Sequence, residues 1–194
     1  MRYHRIIRLA PETMELYFIG YALSEEEKAP VDDLRERIAI KFGVQAALKT
    51  VPHITLVRPF ETDKREMLVE GMRAIAAKEK PFVVPLANFS SFDKSRVWFV
   101  EPEQSQGLTD LHSDLRDLAR GLWKREQIAP EFETRFHITL SYKDVMPKVH
   151  QNIGVMLRSE SLPLASLNVT GVSLFKDRGA GQGWEVVETV PFGT

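Results

Sequence analysis

Apolar positions along the chain alternate with two different periods, and the periods come in the same order twice. Glu15 to Leu23 is a run of aromatic and apolar residues that predicts a strand. Val31 to Phe42 places Val31, Leu34, Ile38 and Phe42 on one helical stripe. A short apolar strand around Ile54 and Leu56 follows. Asp63 to Lys78 predicts a second helix, with Asp63 and Glu66 spaced for a capping box and Leu68, Met72 and Ile75 on its apolar face. Phe82 to Phe89 predicts a strand, in which Pro85 points to an edge or a bulge. The order then restarts. Arg96 to Glu101 predicts a strand, and Ser105 to Arg125 a long helix with Leu108, Leu111, Leu115, Leu118 and Leu122 inward. A second strand covers Ile138 and Leu140. Met146 to Leu157 predicts a helix with Pro147 in its first turn. Ala165 to Phe175 predicts one strand, Lys176 to Gly183 a glycine-rich hairpin loop, and Trp184 to Val190 a closing strand. The pattern is βαβαβ twice, over approximate repeats 14–92 and 95–190.

At the corresponding point of each repeat stands the same word, His53-Ile54-Thr55-Leu56 and His137-Ile138-Thr139-Leu140. Val84 follows His53 at nearly the interval by which Val169 follows His137, so the flanks match as well. In a strand, residues i and i+2 share a face. Each word therefore shows His and Thr side by side and buries Ile and Leu behind them. A duplication with pseudo-two-fold symmetry sets the two words opposite each other. Two imidazoles and two hydroxyls around one cleft suit acid–base chemistry on a phosphate ester. A histidine in a strand is ordinarily structural, and a threonine there ordinarily reflects β-propensity. Their recurrence at one offset favours function. His4, His112 and His150 have no such partner and read as structural or surface residues.

Composition narrows the field without redirecting it. An apolar share of 43% and a charged share of 27% are those of a folded globular protein. A net charge of −1 argues against a broad grip on long nucleic acid but is compatible with a small or terminal phosphate. With no cysteine, disulfides, thiolate zinc sites and a Cys nucleophile are excluded. Met1 to Ala10 has no continuous apolar core, and charges interrupt Ile6 to Leu23, so neither a signal peptide nor a membrane span is expected. The expected location is cytoplasmic. A zinc site would need Glu133 or Asp144 beside the two histidines, and there is no His-Glu-x-x-His. Nor is there a Gly-x-Ser-x-Gly elbow, and Gly179, Gly181 and Gly183 lie between strands as a turn.

Paired His-x-Thr-x words, one per half of a duplicated chain of this size, resemble the two-histidine (2H) phosphoesterase superfamily, and within it the bacterial 2′-5′ RNA ligase group, also described as RNA 2′,3′-cyclic phosphodiesterases. The resemblance implies an α+β fold over residues 1–194: a duplicated, bilobal unit of two antiparallel sheets with outer helices flanking a central groove. It implies catalysis by His53 and His137, with Thr55 and Thr139 on the phosphate. Pro52 precedes the first word, as is common in the family, whereas Phe136 precedes the second. The implied activity is metal-independent, cofactor-free hydrolysis of 2′,3′-cyclic phosphate or 2′-5′-linked RNA ends, with ligation as its reverse. The implied partner is a small nucleotide or an RNA terminus, and a monomer is the default. Two alternatives remain open. One is the same chemistry on another cyclic phosphate, such as ADP-ribose 1″,2″-cyclic phosphate. The other is an RNA-end binding module without turnover.

Alternation adds further candidates for substrate contact. Ser141 and Lys143 continue the face of His137 and Thr139 if the strand stays regular. Arg58 falls on the opposite face unless the first strand ends near Val57. For all three, a solvated surface role is the competing reading. Tyr17, Phe92 and Trp98 could stack on a base, although core packing is the ordinary role of such residues.

Overall fold

The computed structural model describes residues 14–123 and 135–193. The elements run β1 (Glu15–Ala22), α1 (Glu25–Phe42), a 3₁₀ turn (Ala46–Lys49), β2 (His53–Thr62), α2 (Arg65–Ala76), β3 (Phe82–Phe92), β4 (Val97–Pro102), α3 (Gln106–Arg120), β5 (Ile138–Ser141), α4 (Pro147–Leu157), β6 (Ser166–Val169), β7 (Gly171–Asp177) and β8 (Trp184–Pro191). The expected α+β class holds, with antiparallel strands throughout.

Local chemistry explains where the expected elements move. Helix α1 begins well before Val31 because Ser24 and Glu27 form a capping box: the Glu27 N–H donates to Ser24 Oγ at 3.3 Å and the Ser24 N–H to Glu27 Oε2 at 2.9 Å. Pro30 is carried inside the helix and does not start it. Gly43 ends it at φ 73°, in the left-handed region. Helix α2 does not use the expected Asp63 and Glu66 box. Lys64 is its N-cap without a side-chain cap bond. The turn before it is closed by Thr62, whose Oγ1 accepts from the Lys64 N–H and donates to the Leu122 carbonyl, both at 3.1 Å. Helix α3 starts at the expected place, since the Leu108 N–H donates to Ser105 Oγ. The expected last residues of that helix, Lys124 and Arg125, lie outside the described residues.

The strand order is β6-β3-β4-β5-β2-β1-β7-β8. In place of the two expected sheets there is one eight-stranded sheet, and its two halves meet where Ile54 of β2 pairs with Ile138 of β5. Corresponding strands of the repeats stand at mirror positions about that junction: β2 and β5, then β1 and β4. The third strands change sides. Strand β3 pairs with β4 and β6, and β7 pairs with β1 and β8. Each half is therefore built from both repeats.

The expected single strand from Ala165 to Phe175 is two strands. Thr170 alone separates β6 from β7, yet they belong near opposite ends of the order. The sheet must curl until its ends approach. At the break the Phe192 N–H donates to the Thr170 carbonyl at 2.8 Å. Pro85 stands beside a register shift between Leu86 and Asn88, as its missing donor suggests. Helices cover one face: α1 lies against β5 and α3 against β2. Val31, Leu34 and Ile38 of α1 and Leu108, Leu111 and Leu115 of α3 are fully buried with Ile54, Leu56, Ile138 and Leu140. Burying the even positions of both words fixes their odd positions on the other face.

Candidate active site

The junction of β2 and β5 brings the two words together. The strands are antiparallel with Ile54 opposite Ile138, so His53 stands across from Thr139, and Thr55 across from His137. Directly opposed side chains in such a pair have Cβ atoms about 4.5–5.5 Å apart. The open cleft on this face has a volume of about 140 Å³, and its walls include His53, Thr55, Thr139, Arg35, Tyr142 and Trp184.

Both imidazoles are held in one way. His53 Nδ1 lies 2.8 Å from the Val51 carbonyl, and His137 Nδ1 lies 2.7 Å from the Arg135 carbonyl, each two residues upstream. A carbonyl oxygen can only accept, so Nδ1 carries the proton in both rings. Each Nε2 is then the nitrogen that can take or give a proton.

The walls behind the rings are also paired. His53 packs on Phe18 and Phe175, with ring centroids 4.9 and 5.0 Å away. His137 packs on Phe92 and Phe99, at 5.2 and 5.0 Å. These apolar rings desolvate the imidazolium. Burial is the main cause that holds His53 down at about 4; the Val51 carbonyl opposes it, while the charges of Arg35 and His137 add to it. Burial likewise lowers His137; the Arg135 carbonyl opposes this, Arg58 and Arg135 add to it, and Glu101 works against it. Glu101 is paired with Arg135, whose guanidinium also donates to Ser90 and lies over the Phe99 ring.

A model of the 2′-5′ RNA ligase superfamily matches residues 23–181. The chain belongs to that superfamily. This superfamily member is 35% identical over 92 residues to a Geobacillus kaustophilus (strain HTA426) protein provisionally named a phosphoesterase, a match covering 46% of this chain and 50% of the relative. A similarly named Geobacillus thermodenitrificans protein is 32% identical over 108 residues, covering 50% of this chain and 59% of the relative. The chain thus spans about half the length of the curated relatives it matches. Its fold is similar to that of E. coli LigT in the apo form, with TM-score 0.61, 19% identity, and coverage of 94% of this chain and 99% of that one. LigT complexed with 3′-AMP is similar in fold to the same degree, with TM-score 0.61, 17% identity, and coverage of 94% and 100%.

The remaining expected site residues divide. Arg58 is exposed and acts electrostatically on His137, although β2 continues to Thr62 and Arg58 is not among the residues of the cleft wall. Gly20 pairs with Thr55 but Ile19 with Val57, so Leu56 is an extra residue in a bulge. The bulge reverses the alternation: Leu56 and Val57 are both buried, and Arg58 turns outward near enough to act on His137. Ser141 keeps the parity of the motif face but is buried, 1% exposed, with no hydrogen bond to its Oγ among the described residues; it does not reach the cleft wall. Lys143 does not continue the face, because β5 ends at Ser141 and Lys143 turns into the left-handed region at φ 64°, its ammonium over the Tyr142 ring. Tyr17 is core and bonds Glu15, while Trp98 stacks on His150 and donates to its carbonyl. Phe92 supports His137. Asp144 uses Oδ2 to accept from the Gln45 and Ala46 N–H groups. Glu133 and His4 lie outside the described residues. Among the described residues, no group of three or more His, Asp or Glu is placed to hold a metal ion, and no helix is long and apolar enough to cross a membrane.

Proposed function

We propose that the chain is a metal-independent phosphodiesterase that opens 2′,3′-cyclic phosphate, or 2′-5′-linked, nucleotide and RNA ends. The mirrored pinning of the two imidazoles carries this reading. Each ring is pinned through Nδ1, which leaves Nε2 to exchange protons, and His53, Thr55 and Thr139 line one cleft. One neutral imidazole takes a proton from water as its oxygen attacks phosphorus. The other, protonated, gives a proton to the ribose oxygen that leaves. The products balance as one phosphate monoester and one free hydroxyl. The threonine hydroxyls donate to the non-bridging oxygens as charge builds there, and Arg58 adds positive charge. Burial shifts both rings toward the neutral form. A phosphate anion offsets the nearby guanidinium charges and lets one ring hold the proton it must donate. With a ribose 5′-hydroxyl in place of water as the nucleophile, the P–O3′ bond of the cyclic phosphate breaks, the 3′-oxygen takes up a proton, and a 2′-5′ linkage forms.

The test is incubation of the four nucleoside 2′,3′-cyclic monophosphates with the protein in EDTA. Conversion to a nucleoside monophosphate is expected, and the position of the retained phosphate identifies the leaving oxygen. No turnover on these or on cyclic-phosphate-ended oligonucleotides would contradict the reading.

A further inference from the structure

One cation at this cleft comes from an element that carries no motif. Arg35 lies on the inner face of α1 and is only 2% exposed, yet it forms part of the cleft wall beside His53, Thr55 and Thr139. Its Nε donates to the Thr139 carbonyl at 2.9 Å. Its Nη1 donates to the Thr50 carbonyl at 3.0 Å and to Asp32 Oδ1 at 3.3 Å. Among the described residues, nothing accepts from Nη2. A guanidinium taken out of water is costly unless it is paired and fully hydrogen-bonded. Here the single carboxylate, Asp32, sits at the margin and is 35% exposed. The other two partners are neutral carbonyls. The charge is thus incompletely compensated, and the unused donors are those of Nη2 on a side chain that lines the cleft.

We propose that Arg35 is an anion-binding residue of the cleft: it grips a phosphate oxygen through Nη2 while its Nε fixes the backbone of Thr139. This deepens the phosphodiesterase reading and rests on it for the identity of the anion. One side chain thereby couples charge to geometry. The planar fork holds the second His-Thr word by its main chain and leaves its last amino group for the ligand. Arg35 also lies close enough to act on His53, so phosphate bound against it would reach the imidazole too.

Inorganic phosphate and 3′-AMP are the probes, titrated calorimetrically into the intact protein and into Arg35→Gln and Arg35→Lys, with thermal unfolding as the check on folding. Loss of one charge-assisted hydrogen bond weakens binding by about tenfold or more. Arg35→Gln should show at least this loss for both ligands. Arg35→Lys keeps the charge but not the fork, and should show a smaller loss; it also serves as the test if Arg35→Gln does not fold. A merely structural arginine would change the unfolding temperature and leave affinity in the folded variants unchanged, and that result overturns the proposal. So does a parent that binds neither probe. Hydrolysis of cyclic nucleotides separates the two readings. Turnover with Arg35-independent binding overturns this proposal and spares the enzyme reading. Arg35-dependent binding without turnover supports the anion site and removes the enzyme.

Discussion

On the proposed mechanism, removing either imidazole removes one of two proton transfers. His53→Ala and His137→Ala should each lower kcat by about 10²–10⁴-fold, read from initial rates on a cyclic nucleotide, with a far smaller change in KM. Thr55→Val and Thr139→Val should lower kcat less. The pH dependence follows from the dry walls behind the rings. The rate should be bell-shaped, its limbs belonging to the histidine pair, and its acid limb should lie below the ordinary histidine range, because burial lowers His53 to about 4. The same shift bears on stability. An unfolded histidine titrates near about 6.5, so between that value and about 4 the unfolded state binds more protons. His53 therefore makes stability rise with pH across this window and fall on acidification. His53→Asn should flatten that part of the curve; urea midpoints at pH about 4.5 and about 7 measure it, and equal losses in parent and variant would contradict it. The histidines and threonines were legible in the sequence because strict alternation holds from His53 to Thr55 and from His137 to Thr139. Arg58 was legible only on the condition that the strand ends near Val57; the strand continues, and a bulge, a backbone event that alternation cannot see, turns it outward instead. Lys143 misled because the strand ends two residues earlier. Arg35 was hidden for another reason: it meets Thr139 across 104 residues of chain.

At the scale of elements, the words are held in place by how closely β1 approaches β2. A Cβ at Gly20 would lie 2.5 Å from the Ile54 carbonyl. Gly20→Ala must therefore push β1 off the strand that carries His53 and Thr55. A destabilisation of about 1–3 kcal/mol is expected in urea unfolding, together with reduced kcat. Ser24→Ala provides the contrast. It removes one half of the α1 capping box, whose residues do not line the cleft, and should cost about 1 kcal/mol of stability with a far smaller effect on kcat than the histidine variants. Element type was readable along most of the chain, since the helical stripes and apolar runs are strong. Boundaries failed where a cap or a crossing decides them. Ser24 and Glu27 extend α1 beyond the stripe that begins at Val31, Thr62 replaces the expected cap of α2, and Thr170 divides what reads as one apolar strand.

Across the whole molecule, the exchange of third strands ties the repeats together. Strand β1 needs β7 from the second repeat, and β4 needs β3 from the first. Unfolding is therefore expected as one transition, with tryptophan fluorescence and far-ultraviolet circular dichroism coinciding in urea. Trp98 and Trp184 report on different halves of the strand order. A fragment of residues 14–92 should not fold alone, and a folded fragment would contradict this interdependence. The same architecture sets the two His-Thr words at the seam, so that each half supplies one imidazole and one hydroxyl to the candidate site. The most direct test of that arrangement is hydrolysis of a nucleoside 2′,3′-cyclic monophosphate in EDTA by the parent, by His53→Ala, by His137→Ala and by the double variant. Two halves of one acid–base pair predict turnover by the parent, a large loss in either single variant, and little further loss in the double. Full activity in either single variant would contradict the account.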